Sequence, residues 1–433
     1  MNKELLRLAF PNVLTNLTVP LVSLVDIGLM GRMPSSSYIL AIGFGTLIFN
    51  FIYWAFGFLR MGTTGMVSQA YGSNNEKEST SLLFMGTSIS LAAGILFVLF
   101  QYPILKVALF LINPDQVVIA PLSTYYYWRI YAAPATISIY VITGWLLGMQ
   151  DSKSALYLAI LINGINAIVS YFLVYNAGLS IKGVALGTVI AQYSGLLFGI
   201  YLIQKKHQLS WKDFSISLLK EMKTWKSFIK VNSDIFIRTL CLIFAMSFFK
   251  TKAGNIDPIL GAANILLLEF VTLSAYGIDG FAFAAESICG KYFGRRDKKQ
   301  FIRATKTAFK QGFLFALFIS AVFFVFGEEI LTVLTNKVNV IQAALPYLKW
   351  LILLPLLSSF AFIWDGVYIG TTASKAMRNT LIIATFFIFL PLFFLLKEFF
   401  GNHGMWIAFL IFLLARGVIQ TILAPKAILS RFD

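Results

Sequence analysis

Cysteine and histidine are nearly absent from this sequence, with two residues of each type among 433. The two cysteines, Cys241 and Cys289, lie in separate apolar runs, which excludes a disulfide-stabilised scaffold. Both histidines, His207 and His403, fall in predicted loops, so neither can bind a metal ion or relay protons within an apolar core. We therefore expect no metal site and no bound cofactor.

Charged residues are also scarce. They make up 12% of the chain, whereas hydrophobic residues make up 58% and the mean hydropathy is +0.79. A soluble domain is charged at about one residue in four, and the alternating pattern of a β-barrel is missing. Apolar runs of about 20 residues or more recur throughout, each long enough to cross the hydrocarbon layer. The predicted fold class is an all-α integral membrane protein.

We predict about twelve transmembrane helices from these runs. The first run has a basic start but no small-residue cleavage site, so we interpret it as an uncleaved span. Some spans exceed the length needed to cross, which indicates tilt or extension beyond the bilayer. The predicted ranges are 6–31, 38–70, 81–111, 118–148, 154–175, 183–204, 227–250, 258–290, 303–326, 339–371, 377–396 and 403–424.

The net charge of +16 is concentrated in alternate loops. A nucleic-acid binder would carry this charge on one water-exposed face, so we expect no nucleic-acid partner. By the positive-inside rule the basic loops are cytosolic. The sequence thus predicts a multi-pass protein of the cell inner (cytoplasmic) membrane, with both termini in the cytosol and lipids as its surroundings.

Two halves of the chain are related in sequence. The segments TGWLLGMQDSKS and DGVYIGTTASKA, at 143–154 and 365–376, align without gaps. The matched pairs are Gly144 with Gly366, Gly148 with Gly370, Ser152 with Ser374 and Lys153 with Lys375. We infer two six-helix lobes, 1–204 and 227–433, related by a pseudo-two-fold axis along the membrane normal. Repeats of this kind are typical of transporters.

A polar segment joins the two halves at 205–226. Large apolar residues recur in it at helical spacing with lysines between them. This pattern predicts an amphipathic helix on the cytosolic leaflet. We interpret the helix as a linker, with a regulatory role as the alternative.

The first predicted span contains a carboxylate, Asp26, within LVSLVDIGLMGR. A charge in hydrocarbon costs about 2.5–3.5 kcal/mol on insertion scales, and apolar surroundings favour the neutral form of a carboxyl group. We expect Arg60 and Arg129 not to reach it. Pro11 and Pro20 weaken backbone bonding in the same helix. A group that can gain a proton on a helix that can bend is typical of a switch.

Polar residues in spans 5 and 6 share helix faces. Asn163, Asn166 and Ser170 are spaced by three and four residues, and Thr188 and Gln192 by four. They are either ordinary interhelical hydrogen-bond partners or one wall of a polar cavity opposite Asp26.

The second half contains more charges inside its spans. Asp234 and Arg238 are spaced to pair along one helix face, and the direction of each span places them at the cytosolic end with Glu286, Asp365 and Arg416. This inner cluster is either a structural brace or a binding site. Two further acids, Glu269 and Asp279, lie higher, towards a central cavity, and are candidates for substrate or ion binding.

The chain resembles the MATE family of multidrug and toxic-compound exporters, in particular its bacterial DinF-like branch. The segments that carry the resemblance are VDIGLMGR (25–32), GFLRMGTTGMVSQAYG (57–72), SAYGIDGFAFAAESICGKYFGRRD (274–297), WDGVYIGTTASKAMRN (364–379) and GNHGMWIAF (401–409). The resemblance implies a twelve-helix, two-lobe antiporter driven by a proton or sodium gradient, with the coupling aspartate of the first helix at Asp26.

One position departs from the DinF-like pattern. Relatives of that branch show N-x-x-x-D in span 5, and here Asn166 is followed by Ser170. By the resemblance Asn166 and Thr188 remain polar partners, and either Tyr125 or Tyr126 faces the cavity. A single carboxylate among neutral groups favours a proton as the coupling ion. Sodium is the alternative, bound in the second lobe through Glu269 or Asp279.

We predict a monomeric secondary antiporter that exports amphipathic, cationic small molecules in exchange for protons by alternating access. Arginines such as Arg60 and Arg129 leave open the alternative of a flippase for lipid-linked saccharides or other lipids, but acids outnumber bases inside the spans. A membrane enzyme would need clustered Asp or His motifs such as DDxxD, and none is present. We therefore expect no enzymatic activity.

Overall fold

The computed structural model describes residues 1–31, 37–209 and 222–432, and within these ranges it is helical with no β-strand. Short 3₁₀ turns occur at Ile130–Ala132, Leu345–Tyr347 and Leu429–Arg431, and π-helical turns at Phe172–Asn176 and Ile383–Phe389. The helices are α1 Asn2–Gly31, α2 Ser37–Ala55, α3 Gly57–Gly72, α4 Glu76–Leu99, α5 Gln101–Ile112, α6 Gln116–Arg129, α7 Ala133–Gly148, α8 Ser152–Tyr171, α9 Ser180–His207, α10 Met222–Gly254, α11 Pro258–Gly294, α12 Lys298–Leu334, α13 Val338–Ala344, α14 Leu348–Gly370, α15 Ser374–Ile382 and α16 Leu390–Ala427.

Ten stretches of these helices are long and apolar enough to cross a membrane, and α1 precedes them. The last stretch, Ser374–Arg431, has 58 residues and is interrupted at Gly401, where φ is 55° and ψ is −130°. A Cβ at Gly404 would clash with the carbonyl group of Leu396, so the chain turns back here and forms two helices. The predicted all-α membrane fold is confirmed.

Polar residues in the connections determine where several helices begin. The side chains of Asn75, Asp151 and Asp297 each accept a hydrogen bond from a backbone N–H in the first turn of the helix that follows. Asp257 does the same for α11, with Pro258 at its first position. These side chains satisfy N–H groups that have no partner within the helix.

The Cα atoms group into two compact units. The N-unit contains residues 17–67 and 75–229, and the C-unit contains residues 1–16, 68–74 and 230–433. The lobe boundaries at 204 and 227 stay predictions. Most of the predicted amphipathic linker, residues 210–221, lies outside the described part of the chain.

Aromatic packing and close helix contacts form the interior of the C-unit. The ring of Phe249 lies 4.8 Å from those of both Trp406 and Phe409, and all three side chains are fully buried. In the same unit, Cβ atoms at Gly366 and Gly370 of α14 would clash with backbone oxygens of α11. Small residues allow such close approach of membrane helices, and they bring the neighbouring Asp365 into a buried position.

Candidate functional site

Asp26 is buried in the second half of α1, where the residue is 3% exposed. Its Oδ1 atom has no hydrogen-bond partner among the described residues. A buried carboxylate oxygen without a partner loses its hydration and gains nothing in return. Asp26 is therefore a group whose charge state has a large effect on the energy of its surroundings.

Helix α8 runs beside this part of α1. Asn163 donates from Nδ2 to the carbonyl oxygen of Thr18 at 3.3 Å, and Tyr175 donates from its hydroxyl to that of Leu29 at 3.0 Å. The paired positions are 145 residues apart in one contact and 146 in the other, so the two helices run in the same direction with a constant register. In this register Asp26 lies level with the first or second residue after Ser170.

The polar residues of α8 meet α9 at this level. Asn166 donates from Nδ2 to Oγ1 of Thr188 at 3.0 Å, and the Thr188 hydroxyl donates to the carbonyl oxygen of Val184 at 3.1 Å. A Cβ at Gly187 would clash with Ser170, so the glycine lets α9 touch α8 there. The Oδ1 atom of Asn166 and the Oγ atom of Ser170 are buried without partners within the described ranges.

The structure corrects one expectation about this region. Arg129, at the end of α6, lies close enough to Asp26 to act on it electrostatically. The direction of its span suggested that it could not reach. The depth of a Cα atom is a poor guide for arginine, because its long side chain carries the charge well away from the backbone.

The tyrosines of α6 differ in their contacts. Tyr125 accepts a hydrogen bond through its hydroxyl from Arg129, while the hydroxyl of Tyr126 is buried without a partner in the described chain. Both side chains are fully buried, and the ring of Tyr126 stacks on Phe49. Gln192, one turn beyond Thr188 on α9, is partly buried.

In the C-unit, Asp365 lies at the centre of a buried charge network. Its Oδ2 accepts hydrogen bonds from Arg238 on α10 and, at 2.7 Å, from Arg416 on α16, and its Oδ1 accepts one from Gln420 at 2.7 Å. Arg416 and Gln420 are fully buried. One carboxylate thus joins helices α10, α14 and α16. Gln420 was not predicted, although it lies one turn after Arg416 on the same face of α16.

Asp234 belongs to a second ion pair. Its Oδ1 lies 2.5 Å from Nη1 of Arg378, and its Oδ2 accepts a hydrogen bond from Ser374 at 2.9 Å. The predicted pairing of Asp234 with Arg238 along α10 is therefore wrong, because each residue bonds to a side chain of another helix. Spacing shows which residues share a face, but the partner depends on what packs against that face.

The three remaining candidate acids of the C-unit, Glu286, Asp279 and Glu269, differ in their burial. Glu286 is fully buried on α11, where its backbone oxygen lies beside Gly370. Asp279 is partly buried and acts electrostatically on Arg416, while Glu269 is exposed. Across the described ranges, no three His, Cys, Asp or Glu side chains group as ligands of a metal ion would.

Known proteins resemble this chain along its length. The sequence profile of the MatE family matches residues 11–172 and 237–395. DNA damage-inducible protein F of Escherichia coli (strain K12) is 32% identical over 96% of this chain and 90% of its own length. A probable multidrug resistance protein NorM of Photorhabdus laumondii is 24% identical over 97% of this chain and 94% of its own.

A solved structure has the same fold. The outward-facing conformation of a multidrug resistance MATE family transporter of the MOP superfamily superposes with a TM-score of 0.90 at 18% identity, covering 99% of this chain and 96% of that one. The predicted fold class is confirmed by this likeness. Together with the profile match and the 32% identical relative, it leads to one assignment. This chain belongs to the MatE family.

Proposed function

We propose that this protein is a secondary active antiporter that exports amphipathic, cationic small molecules in exchange for protons, with Asp26 as the protonation switch. It works by alternating access of its two lobes, as a monomer in the cytoplasmic membrane with both termini in the cytosol. Relatives named as multidrug resistance proteins support export of small molecules.

The observation that carries the proposal is the buried carboxylate of Asp26 with its unpartnered Oδ1. Protonation removes a charge whose burial costs about 2.5–3.5 kcal/mol, so it changes the relative energies of conformations that bury Asp26 to different extents. Uptake of a proton from outside and binding of a cationic substrate from inside therefore oppose each other through the same negative charge. Such competition is the basis of exchange transport.

The charge network of the C-unit supports a bracing role in this scheme. Both oxygens of Asp365 are occupied by Arg238, Arg416 and Gln420. A carboxylate neutralised in this way has little capacity left for a transported ion. Removing one partner of a buried ion pair is strongly destabilising, which is the behaviour expected of a brace.

Sodium coupling is a second candidate, favoured by one observation. Buried oxygens of Asp26, Asn166 and Ser170 lack partners among the described residues, and oxygen atoms are the ligands of hard cations. Against it, Ser170 supplies no second negative charge. Glu269 and Asp279 in the C-unit are the other candidates for a sodium ion.

Purified protein in liposomes distinguishes the two ions. Efflux or uptake of ethidium is followed by fluorescence under an imposed proton gradient without sodium, under a sodium gradient at equal pH, and with neither. We expect the proton gradient alone to drive transport, with protein-free liposomes as the control. Transport under the sodium gradient alone would show that the coupling ion is sodium and not the proton. No transport under any gradient would contradict the antiporter proposal.

A further inference from the structure

Four aromatic side chains of the N-unit form a cluster, and two of its rings lie against the guanidinium of Arg129. We define the aromatic cage as Phe49 and Tyr53 of α2 with Tyr125 and Tyr126 of α6. The Cζ atom of Arg129 lies 5.0 Å from the ring centre of Phe49 and 5.3 Å from that of Tyr125. Both distances are within the range of attraction between a cation and an aromatic ring. The cage thus already holds a cation, contributed by the protein itself.

The cage is packed from several ring contacts. Phe49 stacks with Tyr53 at 5.7 Å and with Tyr126 at 5.4 Å, and it meets the edge of Tyr125 at 6.3 Å. Phe49, Tyr125 and Tyr126 are fully buried. A Cβ at Gly45 would clash with the ring of Tyr125, so the close approach of α2 and α6 holds the rings in place. The rings are therefore positioned independently of any one bond to Arg129.

Arg129 is incompletely bonded in this position. Its Nη1 donates to the hydroxyl of Tyr125, but its Nε is buried without a partner in the described chain. The residue is the last of α6 and is followed by the 3₁₀ turn Ile130–Ala132, and its side chain is only partly buried. Leaving a buried guanidinium donor unpaired costs free energy. Arg129 can therefore be displaced at lower cost than a fully bonded arginine.

Asp26 offers Arg129 an alternative partner, because the two groups already interact electrostatically. The neighbouring faces of α8 and α9 present the neutral side chains of Ser170, Asn166 and Thr188. In the described part of the N-unit, Arg129 is thus the charge that competes most directly for Asp26.

We infer that the aromatic cage is a binding subsite for the cationic group of the exported molecule, and that Arg129 occupies it when substrate is absent. This inference rests on the proposed function and names the part of the site that recognises positive charge. A substrate cation displaces Arg129, which moves towards the ionised carboxylate of Asp26. When Asp26 takes up a proton, Arg129 loses that partner and returns to the cage, expelling the substrate.

The ligand chemistry follows from the cage. Aromatic rings favour a cation with diffuse charge and apolar substituents, such as a quaternary phosphonium or ammonium group. An anion of the same shape would be attracted to Arg129 and repelled by the ring faces. The cage thus discriminates by charge sign rather than by shape.

Equilibrium dialysis of the purified protein in detergent, without any gradient, tests this inference. The probes are tetraphenylphosphonium and tetraphenylborate, which share a shape and differ in charge. Arg129→Gln should bind the phosphonium several-fold more tightly and the borate no more tightly. Phe49→Leu should weaken phosphonium binding about tenfold, since the variant loses a desolvated cation–ring contact.

Matched controls come from the same unit. Phe51, also on α2, is 69% exposed, and the ammonium of Lys106 lies over the ring of Tyr102 away from the cage. Phe51→Leu and Lys106→Gln should leave phosphonium binding unchanged. If Arg129→Gln does not fold, the inference is tested by comparing the phosphonium binding of Phe49→Leu with that of Phe51→Leu.

Three results would overturn the inference. They are unchanged or weaker phosphonium binding in a folded Arg129→Gln variant, equal changes for both probes, and no phosphonium binding by the unmodified protein. Failure of the antiporter proposal would differ from all three, because it would show as absent gradient-driven transport in liposomes whatever the dialysis result.

Discussion

Asn166 donates a hydrogen bond from Nδ2 to Oγ1 of Thr188 at 3.0 Å, while its own Oδ1 is buried without a partner among the described residues. Thr188 in turn donates to the carbonyl oxygen of Val184. Because that hydroxyl has one proton, its role as acceptor towards Asn166 is determined. The amide oxygen of Asn166 is left as a free acceptor on the face of α8 that also carries Ser170.

Replacing Thr188 with valine removes this acceptor with little change in shape. Thr188→Val should lower the free energy of unfolding by about 1–2 kcal/mol, because a buried amide loses its partner. The measurement is thermal unfolding of purified protein in detergent. Thr87→Val is the control, since the Thr87 hydroxyl bonds back to Leu83 within its own helix. An equal effect in both variants would mean that the Asn166 bond contributes nothing.

The charge network of the C-unit predicts an order of stabilities. Asp365→Asn should destabilise most, because it leaves Arg238 and Arg416 facing each other without their counter-ion, at a cost of about 3–5 kcal/mol for a broken buried pair. Arg378→Met should have a smaller effect, since that arginine is 25% exposed in its pair with Asp234.

A double-mutant cycle tests the bond directly. Arg238→Met with Asp365→Asn should be less destabilising than the sum of the single changes, since the two residues are bonded partners. Thermal unfolding gives the coupling, and ethidium transport is measured on every variant that folds. A stable Arg238→Met protein without transport would point to a direct role in transport instead of a brace.

Much of the fold was predictable because the bilayer limits the choices. Apolar runs long enough to cross hydrocarbon form helices, since unpaired backbone groups are too costly there. The predicted spans 377–396 and 403–424 thus lie on either side of the turn at Gly401. The predicted span 81–111 is in fact two helices, α4 and α5, because the helix is interrupted at Phe100.

Side-chain partners were less predictable, for a physical reason. Asp234 and Arg238 lie one turn apart, yet each bonds to another helix, Arg378 in one case and Asp365 in the other. Sequence spacing determines the face of one helix but not the rotation and height of its neighbours. Because sequence spacing does not give the position of neighbouring helices, it also failed to predict that Arg129 acts on Asp26.

An ion cluster at Asp151 should stabilise the connection between α7 and α8. Burial alone would raise the pKa of Asp151, but hydrogen bonds from His207, Lys206 and Ser154 outweigh it and hold this pKa below its usual range. The stabilisation is therefore present above about pH 4 and is lost as the pH falls further.

Asp151→Asn should lower the free energy of unfolding by about 1–2 kcal/mol at neutral pH, because a helix cap and an ion pair with Lys206 are weakened. Thermal unfolding at pH 7 measures the effect. Asp115→Asn is the control, since Asp115 precedes α6 without a side-chain cap bond. Equal stability of the two variants would show that the cluster contributes nothing.

The proposed topology places the loop between α11 and α12 in the cytosol and the loop before α13 outside. Both native cysteines are buried, so single added cysteines report on these loops. Lys337→Cys should react with an impermeant maleimide added to intact cells, whereas Lys299→Cys should react only after the cells are opened. Both lysines are exposed. Reaction of Lys299→Cys in intact cells would invert the topology and the proposed direction of transport.

The role of Asp26 is tested by a change that preserves its volume. An asparagine at this position cannot take up a proton or carry a charge, so Asp26→Asn should fold and reach the membrane. It should lose transport driven by a proton gradient, and its binding of cationic substrates should no longer vary with pH. Asp115→Asn, a change of the same kind outside the N-unit site, should transport normally.

The register of α1 and α8 allows a second, more specific test of the same role. Asp26 lies level with the first or second residue after Ser170, so Ser170→Asp places a carboxyl group at nearly the same depth on the adjoining helix. Combined with Asp26→Asn, it should restore part of the pH dependence if any proton carrier at this depth suffices. If the double variant shows no pH dependence, the carboxyl group must be on α1, where its charge can act on the helix itself. Normal proton-driven export by Asp26→Asn alone would refute the switch and direct attention to Glu269 and Asp279.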